Sequence, residues 1–154
     1  MLKFPSQIQK RGRRQTCVNS SEVAWKSYFA SDLTEDQMID FLFTSALFGR
    51  VVANNASVAG ATGGCQAEVG SASAMAAAAA VSIFNGSPEQ SGHAMALAIS
   101  NLLGLVCDPV AGLVEIPCVM RNAIGSGNAL ISADLALAGV ESQIPVDEVI
   151  GAMD

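Results

Sequence analysis

Up to about Leu33 the chain is polar and basic and shows no clear apolar period. At Thr34 the pattern changes. Thr34-Glu35-Asp36-Gln37 sets a hydroxyl before a helix start and a glutamine three residues later, the spacing of a capping box. Met38, Ile39, Phe41, Leu42, Leu47 and Phe48 then supply a broad apolar face, which predicts a helix from about Glu35 to Ala53. Asn54-Asn55-Ala56-Ser57 reads as a polar break, and Gly60-Ala61-Thr62-Gly63-Gly64 as a flexible turn. Cys65 opens the next helix, Gln66 to about Phe84, which is largely alanine, serine and glycine. Side chains that small let neighbouring backbones approach closely, so this helix is expected at the centre. Asn85-Gly86 ends it.

Ser87-Pro88-Glu89-Gln90 repeats the start signal, with proline at the first helical position, and this helix is expected to reach about Leu105. Cys107-Asp108-Pro109 breaks it, because the residue before a proline is pushed out of the helical region. Val110 to Ile116 reads as a buried connection, and Pro117-Cys118 leads into a helix of about Val119 to Ala138. Ile144-Pro145 starts a last short helix, Val146 to Met153. There is no long period-two alternation and no internal repeat. The expected fold class is all-α: a single helical domain over residues 34–154, with Ala/Gly-rich central helices and irregular loops. Residues 1–33 read as a flexible basic arm.

Composition narrows the function classes. The 154 residues fit one domain, 51% of them are apolar and only 5% aromatic, which suits helices packed through small side chains. The net charge is −6, yet Lys3, Lys10, Arg11, Arg13, Arg14 and Lys26 all lie near the start. From Val51 onward Arg121 is the one basic residue, against nine acids, so no nucleic-acid-binding face is expected in the body. Lys10-Arg11-Gly12-Arg13-Arg14 suits either a solvated arm or an anionic partner. The longest strictly apolar run, Ala74 to Val81, has eight residues where a spanning helix needs about 18 or more. Ala94 to Val114 is interrupted by Ser100, Asn101, Asp108 and Pro109, so no membrane segment is expected. The basic start is not followed by an apolar signal core, and the four cysteines do not form a secreted disulfide pattern. A reducing, cytoplasmic setting is the expectation.

On spacing alone the cysteines say little, since there is no Cys-x-x-Cys pair and buried free cysteine is common in any core. Their surroundings say more. Cys65 follows Gly63-Gly64, Cys107 precedes Asp108-Pro109, and Cys118 follows Pro117, so each lies at an expected break. Thiolates at helix starts are favoured by the helix dipole and by free N–H donors. Arg121 follows Cys118 by three residues and so lies near the same helix face. It suits either a substrate carboxylate or a structural ion pair with one of the acids. Glu68 follows Cys65 by three residues and reads as a base, a supporting group or a paired helix carboxylate. Asn54, Asn55, Ser57 and Asn122 are candidate donors to a substrate, or turn and capping groups. His93, the only histidine, falls inside a predicted helix and reads as a surface or satisfied helix residue. Cys17 lies apart as a free thiol.

Gly63-Gly64-Cys65-Gln66-Ala67-Glu68-Val69-Gly70-Ser71-Ala72 closely resembles a motif of the iron–sulfur-dependent bacterial L-serine dehydratases. So does the stretch from Asn101-Leu102-Leu103-Gly104 through Cys107-Asp108-Pro109 to Glu115-Ile116-Pro117-Cys118, with Arg121-Asn122 after it. Asn54-Asn55-Ala56-Ser57 is similar to a further family segment, and the likeness runs from about Thr34 to Asp154. The resemblance implies that Cys65, Cys107 and Cys118 hold a [4Fe–4S] cluster in the irregular loops, with one iron left without a cysteine. It implies conversion of L-serine to pyruvate and ammonia, with that iron acting as a Lewis acid toward the substrate hydroxyl. The usual alternative, pyridoxal phosphate, needs a Schiff-base lysine, and the only lysines are Lys3, Lys10 and Lys26.

The chain departs from the family at three points. Residues before Thr34 do not resemble it, the family's Ser-His-rich motif of the β chain or N-terminal region is absent, and family members continue past Asp154. The expectation is therefore a subunit or fragment inactive alone, completed by a β chain or missing N-terminal domain, with homo-oligomerisation left open. An L-cysteine desulfidase of related chemistry and a non-catalytic helical module with free or zinc-bound cysteines are the competing readings.

Overall fold

The computed structural model describes residues 33–108 and 115–153, whose regular elements are all helices, with no strand among them. Helix α1 spans Glu35–Asn55 and starts on the capping box expected at Thr34. Gln37 N donates to Thr34 Oγ1 at 3.3 Å, and Thr34 N donates back to Gln37 Oε1 at 3.0 Å. Leu33, at the end of the basic stretch, packs against the core. The rest of the predicted arm, residues 1–32, and most of the predicted connection, residues 109–114, lie outside the described residues.

The Gly60–Gly64 stretch is not an open turn. A short helix α2 spans Gly60–Cys65, kinked at Gly64, and a π-helical turn follows over Gln66–Gly70. Helix α3 then runs over Ser71–Ile83, so the single helix expected from Gln66 is in fact wound differently in its first turn. Eleven of its residues are buried, and it packs against α1, helix α4 over Pro88–Ser100, and helix α5 over Glu115–Leu137. Alanine makes this arrangement possible, because a helix surrounded on three sides has room for little more than methyl groups. Ala76, Ala77, Ala78 and Ala79 are all within 1% of complete burial. Phe41, Met95, Ile99, Val149 and Ile150 fill the spaces around them.

Helix α4 begins on its own capping box, with Gln90 N donating to Ser87 Oγ at 3.2 Å and Pro88 in the first turn. It stops at Ser100, short of Leu105, because the chain turns at Asn101–Gly104 and Gly104 takes φ +80°. Helix α5 starts at Glu115, four residues before Val119. Pro117 is tolerated because a first-turn residue has no intrahelical N–H partner to lose. A short α6, Val146–Gly151, closes the bundle against α4. Among the described residues no helix is long and apolar enough to cross a membrane.

One polar network crosses the core. Ser73 Oγ donates to Gly125 O at 2.8 Å, while Asn128 Nδ2 donates to Ser73 Oγ and to Ala98 O, both at 2.9 Å. It ties α3, α4 and α5 together. Ser132, one turn further along α5, is fully buried, and its hydroxyl has no partner among the described residues. An unpaired buried hydroxyl loses its water without compensation, and alanine is the better helix former. Ser132→Ala is expected to stabilise the fold by about 1 kcal/mol, read as a higher denaturation midpoint. An unchanged or lower midpoint would mean that the hydroxyl is satisfied.

Candidate functional site

Cys65 ends α2 at the entrance to the π-helical turn, and Cys118 lies in the first turn of α5. The packing of α5 on the π turn brings the two together. Their sulfur atoms are 3.8 Å apart and both thiols are buried, among Val69, Leu102 and Leu105. Cys107 is exposed, on the loop that follows the Asn101–Gly104 turn. Among the described residues none of the three cysteines is in a disulfide, and no three His, Cys, Asp or Glu side chains are grouped around a single metal position.

The loop with Cys107 is fastened to α2 and the π turn. Gly64 holds φ +74° and ψ −171°, and a Cβ there would lie 3.0 Å from Leu105 O and 3.2 Å from Cys107 N. Gln66 N donates to Leu105 O at 2.8 Å, and Gly104 N donates to Gln66 Oε1 at 2.8 Å. Gln66 Nε2 in turn donates to Met153 O at 3.3 Å. Gln66 was not singled out in the sequence. Its partners lie 38 and 87 residues away, and no local pattern announces them. A groove of about 370 Å³ runs between these segments, walled by Gly60–Gly64 on one side and Gly104–Cys107 on the other.

Arg121 is an ion-paired residue. Its Nη1 lies 2.7 Å from Asp108 Oδ1, and Nη2 donates to Asp108 Oδ2 at 2.9 Å, a two-pronged contact. Nη1 also donates to Val106 O at 2.8 Å and to Cys65 Sγ at 3.3 Å. The bond to Cys65 acts first, and those to Asp108 add to it, in holding Arg121 above its ordinary pKa against the opposing effect of burial. Among the described residues, Asp108 is the acid that takes the guanidinium.

The other candidates separate into two groups. Asn122 is buried, and its Nδ2 donates to Cys118 O at 2.7 Å, so it braces the backbone under that cysteine. Ser57 Oγ lies 2.9 Å from Thr62 Oγ1 and accepts from Ala59 N at 3.2 Å, which folds the 57–62 loop behind Gly63. Thr62 lines the groove. Glu68 packs its carboxyl over Gly60. Asn54 and Asn55 are not a break but the last turn of α1, both exposed, with Asn55 Nδ2 donating to Val51 O at 2.7 Å. His93 Nδ1 accepts from Ser142 N at 3.2 Å, the satisfied helix histidine that its position predicts.

Known proteins share this chain's pattern. A family profile described as "Serine dehydratase alpha chain" matches residues 17–154, beginning upstream of Thr34. The chain is 69% identical over 120 residues to a "Probable L-serine dehydratase, alpha chain" of Bacillus subtilis (strain 168), covering 78% of this chain and 40% of that protein. It is 69% identical over 121 residues to the Latilactobacillus sakei protein of the same description, covering 79% of this chain and 58% of that one. A "L-serine dehydratase" of Mycobacterium bovis is 46% identical over 120 residues, 77% of this chain and 26% of its own length. The chain thus spans between 26% and 58% of these relatives' own length. The family match over residues 17–154, most of the chain, means that the chain belongs to the serine dehydratase alpha chain family.

Proposed function

We propose that this chain is the cysteine-bearing part of an L-serine dehydratase that binds a [4Fe–4S] cluster through Cys65, Cys107 and Cys118. The observation that carries the reading is the meeting of the three cysteine-bearing segments, Cys65 beside Cys118 and the Cys107 loop locked against them. Three soft thiolates suit an iron–sulfur cluster, which takes its cysteines on different irons and needs no single point of convergence. When bound, the cluster would supply a Lewis-acidic iron toward the hydroxyl of serine.

The chain's own residues prepare the rest. The apolar surroundings of Cys65 and Cys118 keep water from their sulfurs. Asn122 and Arg121 fix the segments that present the thiols. Thr62 and the backbone of Gly60–Gly64 face the groove, where Ser57 supports them, and they are suited to hold the amino-acid end of a substrate. Glu68, over Gly60 at the same end, is the carboxylate best placed to take a proton there, while Asn54 and Asn55 stand further out as substrate donors. No lysine follows Lys26, so a pyridoxal Schiff base has no anchor in the helical body.

The reaction, L-serine to pyruvate and ammonia, needs more protein than this chain. The exposed Leu42, Phe43 and Leu47 of α1 and Met120, Ile124 and Ile131 of α5 are apolar surfaces on which a β chain, the remaining segments or a second copy would pack. The three described cysteines are not in disulfides, which suits a cytoplasmic setting.

A second reading has one observation in its favour. Two thiolates on one tetrahedral zinc, with bonds of about 2.3 Å, stand about 3.8 Å apart. Protein purified without oxygen separates the two. Brown chain with iron and sulfide in equal amount is the expected result, and a colourless chain carrying zinc would replace the cluster by a structural site. With the completing β chain added, serine should yield pyruvate faster than cysteine yields sulfide. The reverse order would make the protein a desulfidase.

A further inference from the structure

The guanidinium of Arg121 is where all three cysteine-bearing segments meet. Cys65 accepts its N–H. Cys107 is held between the two residues that take its other contacts, Val106 through the carbonyl oxygen and Asp108 through the carboxylate. Cys118 lies one turn before it in α5. We propose that Arg121 is the positioning residue of the cysteine site, clamping the Cys107 loop against Cys65 and setting the electron density on the Cys65 sulfur. This rests on the reading that the cysteines hold a cluster.

The geometry demands arginine. Nη1 has two hydrogens and three acceptors around it, at 2.7 Å, 2.8 Å and 3.3 Å, while Nη2 takes the second carboxylate oxygen. A planar fork reaches all of these at once, whereas a lysine ammonium on a flexible stem does not. A charged N–H on a ligating sulfur draws electron density away from it. That favours the more negative, reduced form of a cluster and raises its potential. Asp108 balances the charge from the solvent side, since its side chain is 53% exposed against 18% for Arg121. A substrate carboxylate would have to compete with Asp108 for the same fork, so the role assigned here is structural and electronic.

The test uses the full chain, anaerobically reconstituted with iron and sulfide, as wild type, Arg121→Gln and Arg121→Lys. Iron release to a chelator, the midpoint potential and cadmium binding by the metal-free chain are measured. Arg121→Gln is expected to release iron about tenfold faster, the equivalent of about 1.4 kcal/mol, with a lower midpoint potential. Arg121→Lys should recover part of the potential but not the slow release, and it carries the test should the glutamine variant fail to fold. Wild-type release and potential in both variants would overturn the proposal. Wild type that takes up no iron would sink the cluster reading alone. Positioning would then be judged by cadmium affinity: weaker binding by the variants upholds it, and equal binding overturns it.

Discussion

Cys107→Ala is expected to strip the chain of its iron while leaving its metal-free fold intact. The other two cysteines cannot give so clean a result. Cys65 and Cys118 are 2% and 6% exposed, inside a small apolar cluster with Val69 and Leu102, and Cys65 accepts a bond from Arg121. Removing either sulfur loses packing as well as a ligand, at a cost of about 1 kcal/mol or more. Cys107 is exposed. A surface substitution with no buried partner moves stability by no more than about 0.5 kcal/mol. Its denaturation midpoint without metal should therefore equal that of the wild type, so any fall in bound iron is a ligand effect. With only two thiolates left, iron and sulfide per chain should drop to near background after anaerobic reconstitution. A Cys107→Ala chain that keeps its full complement of both would remove Cys107 from the ligand set, and with it the three-cysteine reading.

What could be read from the sequence was mostly local. Both capping boxes formed where Thr34–Gln37 and Ser87–Gln90 predict them, because donor and acceptor lie three residues apart and need no tertiary help. The central place of α3 followed from its alanines, since few other residues allow burial on so many sides. The likeness of the motifs around the cysteines pointed to the family that the comparisons bear out.

The misreadings have long-range causes. Gly60–Gly64 has the composition of a turn, yet it winds as α2 and meets the Leu105–Cys107 backbone. Helix α4 has apolar residues enough to continue to Leu105, but the Leu105 carbonyl is taken by Gln66 N, and the chain must turn to deliver it. Arg121 had nine acids to choose from in sequence. Only the folded arrangement selects Asp108, because the same loop also offers the Val106 carbonyl and a neighbouring cysteine. The site is assembled from three segments, and local pattern describes each segment without describing how they meet.

Gly64→Ala is expected to damage both stability and the cysteine site, because two independent constraints fall on one residue. The first is conformational: φ +74° with ψ −171° is a backbone region essentially reserved for glycine, and another residue there costs about 1–3 kcal/mol. The second is steric. A Cβ would sit 3.0 Å from Leu105 O, 3.2 Å from Cys107 N and 3.3 Å from Val106 Cα, all of them backbone atoms that cannot rotate away. Relief means pushing the Cys107 loop off α2, which strains the Gln66 to Leu105 bond and the Arg121 contacts to Val106 and Asp108. Gly104 supplies the control. It also has a positive φ, +80°, but a Cβ there would meet nothing within 4 Å. Gly104→Ala should show only the conformational part, about 1 kcal/mol of lost stability, with iron binding retained. Gly64→Ala should lose more stability than that and should hold little iron. Denaturation midpoints and iron content of the two variants decide between these contributions. Equal losses in both would mean that the close approach of the two backbones matters no more than the dihedral angle. Full iron in Gly64→Ala would mean that the cysteine site does not depend on that approach.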